Sequence, residues 1–301
     1  MAKYVWFDGK LVTIDQAQVP ITTHAIHYGT SVFEGVRAYW NPNNLYIFRI
    51  DEHLRRFRNS GAYYSMSLNF SNEELKEAMV QLCRKNGVRE HCYIRPFYFI
   101  GQYGINLHVT ADAPTHAAMC VFSFSDLFDK NGISACITSW RKFSSASTPT
   151  QAKMGGNYLN SIIATIEAKN RGFDEAIFLD LEGHVSESPG ENIFIIKDSR
   201  LLTPPVGSSA LKGITRDTIL EMAKDTGYDA SVQTIDKQDL YAADEVFLCG
   251  TAAEITPVTG IDGEKIGTGR PGPVTQRIMD AYDDAANGRN MRYSRWLTEV
   301  Y

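Results

Sequence analysis

The chain has 301 residues, 44% of them hydrophobic and 22% charged, with a formal net charge of −5. This is the composition of a folded globular protein, long enough for two domains, and it excludes a disordered or fibrous chain. Basic residues are scattered rather than gathered in runs, which argues against nucleic acid or an anionic membrane surface as partner.

The opening MAKYVWFDGKLV lacks the apolar stretch of a signal peptide, and no apolar run nears the ~20 residues of a membrane span. A cytoplasmic protein is expected. Cys83, Cys92, Cys120, Cys136 and Cys249 lie far apart without any C-x-x-C, so they read as buried thiols and no metal site is expected.

Residues 3–7 and Lys10–Thr13 flank Asp8-Gly9 and predict a hairpin. Residues 37–49 predict a second one around Asn-Pro-Asn-Asn, and a helix is predicted over 51–65 with Asp51 as its cap. Ser71-x-x-Glu74 is a capping box, followed by Leu75, Ala78, Met79 and Leu82 at helical spacing. Strands are predicted at Cys92–Ile100 and 116–124. The polar, glycine-ended stretch 125–132 is the expected interdomain loop, between a small α+β domain over 1–124 and a larger one over 133–301. A strand at 133–140 and a Ser/Thr/Pro-rich segment lead to Lys153. A helix is predicted over 157–171, with Leu159, Ile162, Ile163 and Ile166 on one face and Gly172 past its end. A hairpin is predicted with strands at 176–181 and from Val185 onward, turning at Glu182-Gly183. Further strands are predicted at Asn192–Lys197 and 245–249, and helices from near Thr215 to Gly227 and over 273–286. Strands and helices mix without strict βαβ alternation, so the fold class is α+β in two domains.

Four segments carry chemistry. Gln151-Ala-Lys-Met-Gly-Gly-Asn-Tyr158 sets a lysine between a turn and a helix start, with two glycines that let backbone pack closely. Most lysines are solvated surface charges; one held near a dry cleft can lose its proton and form a Schiff base with a carbonyl. Val185-Ser-Glu-Ser-Pro-Gly-Glu-Asn192 holds two carboxylates, Glu187 and Glu191. They are either acids of an exposed turn or the source of the acid that a pyridine cofactor needs at its ring nitrogen, and spacing does not choose between them. Ser208-Ser-Ala-Leu-Lys-Gly-Ile-Thr-Arg-Asp217 puts a glycine directly before a helix start, an ordinary cap or a phosphate-binding terminus. Gly250-Thr-Ala-Ala-Glu-Ile-Thr-Pro257 offers backbone amides after a buried strand.

Taken in order, Tyr28-Gly-Thr-Ser-Val-Phe-Glu-Gly35, Tyr93-Ile-Arg-Pro96, Lys153-Met-Gly-Gly-Asn-Tyr158, Ser186-Glu-Ser-Pro-Gly-Glu-Asn192, Gly213-Ile-Thr-Arg216 and Gly250-Thr-Ala-Ala-Glu254 resemble the branched-chain amino acid aminotransferases among the fold-type IV pyridoxal-phosphate enzymes. The resemblance implies a two-domain fold like that of D-amino acid aminotransferase. It implies pyridoxal 5'-phosphate as cofactor and ping-pong transamination between leucine, isoleucine or valine and 2-oxoglutarate. The implied partners are small amino acids and 2-keto acids, in a homodimer or larger homo-oligomer with Tyr28 and loop 101–114 near the subunit boundary. It implies Lys153 as the Schiff-base lysine, Glu187 rather than Glu191 at the pyridine nitrogen, and Tyr158 at the phenolic oxygen. Arg56, the amides of Ile214 and Thr215 and the hydroxyl of Thr251 would bind the phosphate. The amides of Thr251 and Ala252 would take the substrate α-carboxylate, and Tyr28, Phe33, Tyr93 and Arg95 would line the side-chain pocket.

The sequence departs from the family pattern at Phe124-Ser-Asp-Leu-Phe-Asp-Lys-Asn-Gly132, shorter than the family's interdomain loop and without its tyrosine, and 101–114 fits loosely. Substrate breadth is therefore less constrained than chemistry. Rival readings on the same scaffold are a transaminase for D-amino acids or (R)-amines and an aminodeoxychorismate lyase. A catalytically silent cofactor carrier is disfavoured by the intact Lys153, Glu187 and Arg56.

Overall fold

The computed structural model describes residues 3–207 and 209–301. The first hairpin forms as patterned: Tyr4–Phe7 pairs with Lys10–Thr13, and the turn puts Asp8 and Gly9 at φ 44° and 88°. The chain divides into two units. One holds the described residues up to Ser125 together with Ala152–Gly156 and Asp284–Tyr301; the other holds the described residues of Asp126–Gln151 and Asn157–Asp283. Two segments expected in the C-terminal domain thus pack in the first unit. The reason is pairing: Met154 bridges to Val32, and Leu297–Glu299 adds a strand against Leu45–Phe48.

In the first unit, seven strands run in the spatial order Leu297–Glu299, Leu45–Phe48, Val36–Trp40, Cys92–Ile100, Thr115–Ser123, Tyr4–Phe7, Lys10–Thr13; Ser31–Phe33 also pairs with Cys92–Ile100. Helices Ile50–Ala62 and Asn72–Asn86 bury Leu54, Phe57, Leu75, Met79 and Leu82 in its core. The capping box forms in full, Glu74 N donating to Ser71 Oγ at 3.1 Å and Ser71 N to Glu74 Oε2 at 2.7 Å. The preceding helix differs from its prediction. It is capped by Arg49 at φ 53°, not by Asp51, because the Arg49 amide donates to Trp296 O at 2.6 Å and turns the chain there.

In the second unit the order is Ala230–Val232, Arg200–Thr203, Asn192–Lys197, Glu245–Gly250, Glu254–Ile261, Ile133–Arg141, Glu175–Leu179, with Glu264–Lys265 added to Glu254–Ile261. Ile133–Arg141 lies parallel to both its neighbours, and the hairpin of Glu245–Gly250 with Glu254–Ile261 leaves 251–253 as its turn. Helix Tyr158–Asn170 forms inside out: Leu159, Ile162 and Ile166 are 63%, 56% and 54% exposed, while Asn160, Ser161, Ala164 and Ala168 are buried. Small side chains let the helix approach Cys136, Ala176 and Phe178 closely. The strand expected from Val185 shortens to a pairing of Ser186 N with Phe178 O and Phe178 N with Glu187 O, at 3.0 and 2.9 Å. Four of the cysteines are buried, Cys120 is half-buried and all five are free. Among the described residues no helix is long and apolar enough to cross a membrane.

Candidate active site

In the first unit the site grows from one helix face. His53, Arg56 and Ser60 fall at i, i+3 and i+7 of Ile50–Ala62 and so project the same way. Ser60 Oγ donates to Arg56 O at 2.8 Å and accepts the Lys153 amide at 2.9 Å. The Lys153 carbonyl accepts Phe33 N at 3.1 Å, so the lysine is pinned on both sides of its backbone. Its Nζ stands 4.9 Å from the Phe33 ring centre. Burial, then the like charge of Arg56, lower the proton affinity of this amine below the usual lysine range, against an opposing pull from Glu34. Gly155 is required here, because a Cβ on it would stand 2.3 Å from Ser31 Oγ.

Glu34, directly after Phe33, forks Arg56: Oε1 accepts from Nε at 2.6 Å and Oε2 from Nη2 at 2.8 Å. His53 Nδ1 approaches Oε2 at 2.7 Å. Burial alone would raise the Glu34 carboxyl, but Arg56 and His53 hold it well below the carboxylate range, and burial lowers His53 in turn.

Tyr93 and Arg95, two apart in Cys92–Ile100, share a face with Phe33 beside them. Arg95 Nη2 donates to Tyr93 Oη at 3.1 Å, and the guanidinium lies 4.7 Å from the Phe33 ring and 5.2 Å from that of Tyr93. Its buried Nε has no hydrogen-bond partner among the described residues. Gly35 makes room for the Tyr93 hydroxyl, which a Cβ would meet at 1.7 Å. Tyr28 ends a short helix, and its hydroxyl donates to Ile105 O at 2.5 Å; with His24 Nε2 at 3.1 Å from Asn106 O, it ties that helix to loop 101–114. The structure therefore joins Phe33, Tyr93 and Arg95 and points the Tyr28 hydroxyl elsewhere.

In the second unit both carboxylates of the serine-rich turn are buried, each 6% exposed, so neither belongs to an exposed acidic turn. Glu187 Oε2 accepts Asn192 Nδ2 at 3.1 Å and Leu211 N at 2.9 Å, while Oε1 pairs with Lys142 Nζ at 2.9 Å. Gly213 must lack a side chain for this, since its Cβ would come within 1.9 Å of Asn192 Oδ1. Glu191 instead accepts the Gly190 amide at 3.1 Å. Gly213 is also the N-cap of Ile214–Thr226, whose first turn presents the buried Thr215. Ser208 of that motif lies outside the described residues. Thr251 and Ala252 form the half-buried turn before Glu254, which holds φ 54° and pairs with Lys130 of loop 126–132 at 3.4 Å. Tyr158 opens its helix half-buried.

Sequence reading missed Glu34, Ser60, Lys142 and Asn192 as partners. Glu34 and Asn192 lay inside quoted motifs; Ser60 and Lys142 carried no signal, because their partners are 93 and 45 residues away. Among the described residues no group of three or more His, Cys, Asp or Glu could hold a metal.

Residues 31–261 match the family described as amino-transferase class IV. The chain is 42% identical to the branched-chain-amino-acid aminotransferase of Escherichia coli (strain K12), over 99% of this chain and 98% of that one. Among solved structures it is similar to the branched-chain aminotransferase of Thermoproteus uzoniensis with norvaline, at 42% identity, TM-score 0.96 and full coverage of both chains. It is also similar to the branched-chain amino acid aminotransferase of Thermobaculum terrenum in its PLP-form, at 34% identity and TM-score 0.94 over 100% of this chain and 99% of that one. The chain belongs to the class IV aminotransferases, among the branched-chain amino acid aminotransferases.

Proposed function

We propose that the chain transfers the amino group of leucine, isoleucine or valine to 2-oxoglutarate with pyridoxal 5'-phosphate, and that Lys153 carries the cofactor. One observation carries the assignment of Lys153: a lysine pinned through both its amide and its carbonyl, whose amine burial and Arg56 hold below the usual range. A lowered proton affinity moves this amine toward the neutral form that can take a proton. The donor set suits the cofactor: a reactive amine, an arginine, a helix start and a buried carboxylate.

When bound, pyridoxal phosphate offers a carbonyl to amines and a ring that draws electrons from the substrate's α-carbon. Lys153 Nζ takes the α-proton and returns it, base and then acid. In the first unit, Arg56 would bind the phosphate, and Phe33, Tyr93 and Arg95 would wall the side-chain pocket, with Tyr28 turned toward loop 101–114. Arg95 receives the distal carboxylate of glutamate or 2-oxoglutarate; its unpartnered Nε is consistent with this. In the second unit, Glu187 holds the ring nitrogen's proton and Tyr158 meets the phenolic oxygen. The amides of Ile214 and Thr215 and the Thr251 hydroxyl bind phosphate, and the amides of Thr251 and Ala252 bind the α-carboxylate.

The working form is a cytoplasmic homodimer or larger homo-oligomer. Tyr28 and loop 101–114 lie at its subunit boundary, where exposed Ile26, Ile105 and Leu107 need cover. The test is an amino-donor panel with 2-oxoglutarate. L-leucine and L-valine are expected to turn over and D-alanine and (R)-phenylethylamine to fail. The reverse order would assign the chain to the D-amino acid or (R)-amine branch.

A further inference from the structure

Glu34 stands out among the buried ionisable groups given no part in the reaction. Its carboxylate is fully buried, next to Phe33 in the chain, and three donors from one helix face converge on it. A lone buried carboxylate is costly, so the fold keeps it only with its partners. Two geometries of the Arg56 pair were possible. An end-on pair through Nη1 and Nη2 would leave the guanidinium free to swing about its stem. The observed pair uses Nε and Nη2, the side-on fork, which fixes both the plane of the guanidinium and its rotation. It also turns the opposite Nη1 edge outward from Glu34.

We infer that Glu34, steadied by His53, is a positioning residue that orients Arg56 for the cofactor's phosphate, an inference that rests on Arg56 being the phosphate ligand. Two effects compete. As a negative charge, Glu34 opposes a phosphate and weakens binding. As a fork, it removes the rotamer freedom that a long arginine otherwise loses on binding. Coulomb attraction and repulsion largely cancel when a cation and an anion sit side by side, whereas orientation has no substitute, so positioning wins. His53 Nδ1 carries the hydrogen that points at Oε2, since a carboxylate can only accept.

The experiment titrates the cofactor-free full chain with pyridoxal 5'-phosphate and, separately, with pyridoxal, which lacks the phosphate. Three forms are compared: wild type, Glu34→Gln, and Arg56→Lys, which keeps a charge for Glu34 but has no fork. Melting temperature is recorded for each. The expected result is that both variants raise the Kd for the phosphorylated form by roughly 10-fold or more, the scale of one charge-assisted hydrogen bond, and leave that for pyridoxal unchanged. Unchanged or tighter binding of pyridoxal 5'-phosphate by Glu34→Gln, with Arg56→Lys weakened, overturns the positioning role and leaves Arg56 as ligand. Equal losses for both cofactor forms in Glu34→Gln overturn it as well, since that is structural damage. No change in either variant removes Arg56 from the phosphate, and the inference falls with it.

Discussion

The two units solve the same electrostatic problem with opposite signs. The first holds a cation, Arg56, on a buried carboxylate, Glu34; the second holds a carboxylate, Glu187, on a largely buried cation, Lys142. In each, one member of the pair is assigned to the cofactor and the other supports it. The supports differ in kind. Arg56 is forked through two of its nitrogens by a single carboxylate, whereas Glu187 is held by three donors from three places in the chain. The lesson is about redundancy: one carboxylate forks two nitrogens of Arg56, whereas Glu187 draws donors from Asn192, Leu211 and Lys142 and keeps two of them when the third is lost. Lys153 stands outside the comparison, because its backbone is pinned on both sides, by Ser60 and Phe33.

The largest effect belongs to that exception. Lys153→Ala is expected to abolish transamination and the visible absorption band of the bound cofactor, while leaving the Ser60 and Phe33 bonds to its backbone intact. Wild-type turnover with the band retained would remove Lys153 from the centre of the site.

Next comes Glu187→Gln. The amide keeps the shape but cannot hold the proton of the ring nitrogen, so kcat is expected to fall on the order of 100-fold or more, with a far smaller change in cofactor Kd. Glu191→Gln, equally buried but bonded to the neighbouring Gly190 amide, is the matched control and should do little. A reversal of the two would reassign the carboxylate.

Arg95→Ala sharpens the contrast from the substrate side. An arginine that hydrogen-bonds a tyrosine hydroxyl and lies over two rings, with no carboxylate partner among the described residues, is satisfied enough to tolerate an isobutyl group. It still has capacity for a carboxylate. Removing it should raise KM for glutamate and 2-oxoglutarate roughly 10- to 150-fold, the value of ~1.5–3 kcal/mol for a charge-assisted hydrogen bond, and that for leucine only weakly. Equal losses for both substrates would make Arg95 structural.

What could be read from the sequence followed range. Local signals held: the Ser71 capping box, the Asp8-Gly9 hairpin, and the alternation that puts Tyr93 and Arg95 on one face all depend on residues close to one another in the chain. The candidate residues sat in contiguous motifs for the same reason. Of the supports, Ser60 and Lys142 did not, because they reach Lys153 across 93 residues and Glu187 across 45; Glu34 sat in a motif, but its partner Arg56 lies 22 residues away. Periodicity left the buried face of Tyr158–Asn170 unread. Leu159, Ile162 and Ile166 share one face and it is exposed; close packing on Phe178 selects alanine, and a pattern of small residues is weak in hydropathy. The cap at Arg49 was missed because Trp296 imposes it from the far end of the chain.

The smallest effect tests the redundancy argument directly. Lys142→Met keeps an apolar stem over the Phe178 ring, from whose centre the wild-type ammonium stands 4.9 Å, and removes the charge. Glu187 would keep both donors on Oε2, Asn192 Nδ2 and Leu211 N, so its carboxylate stays where it is. Two consequences for Oε1 then oppose each other. Without the ammonium that oxygen would be freer to support the proposed ring-nitrogen contact; the carboxylate also loses an anchor, which loosens it. Turnover should therefore change by less than ~10-fold, well short of Glu187→Gln, and Lys142→Arg should restore it by returning a charge with the same reach. Stability responds differently, because a carboxylate with 8% of its side chain exposed loses an ion partner that is itself 13% exposed. A loss of roughly 1–3 kcal/mol is expected, which for a chain of this size lowers Tm by several degrees. A variant that keeps its Tm but loses as much turnover as Glu187→Gln would mean that the pair, and not the carboxylate alone, is the functional group of the second unit.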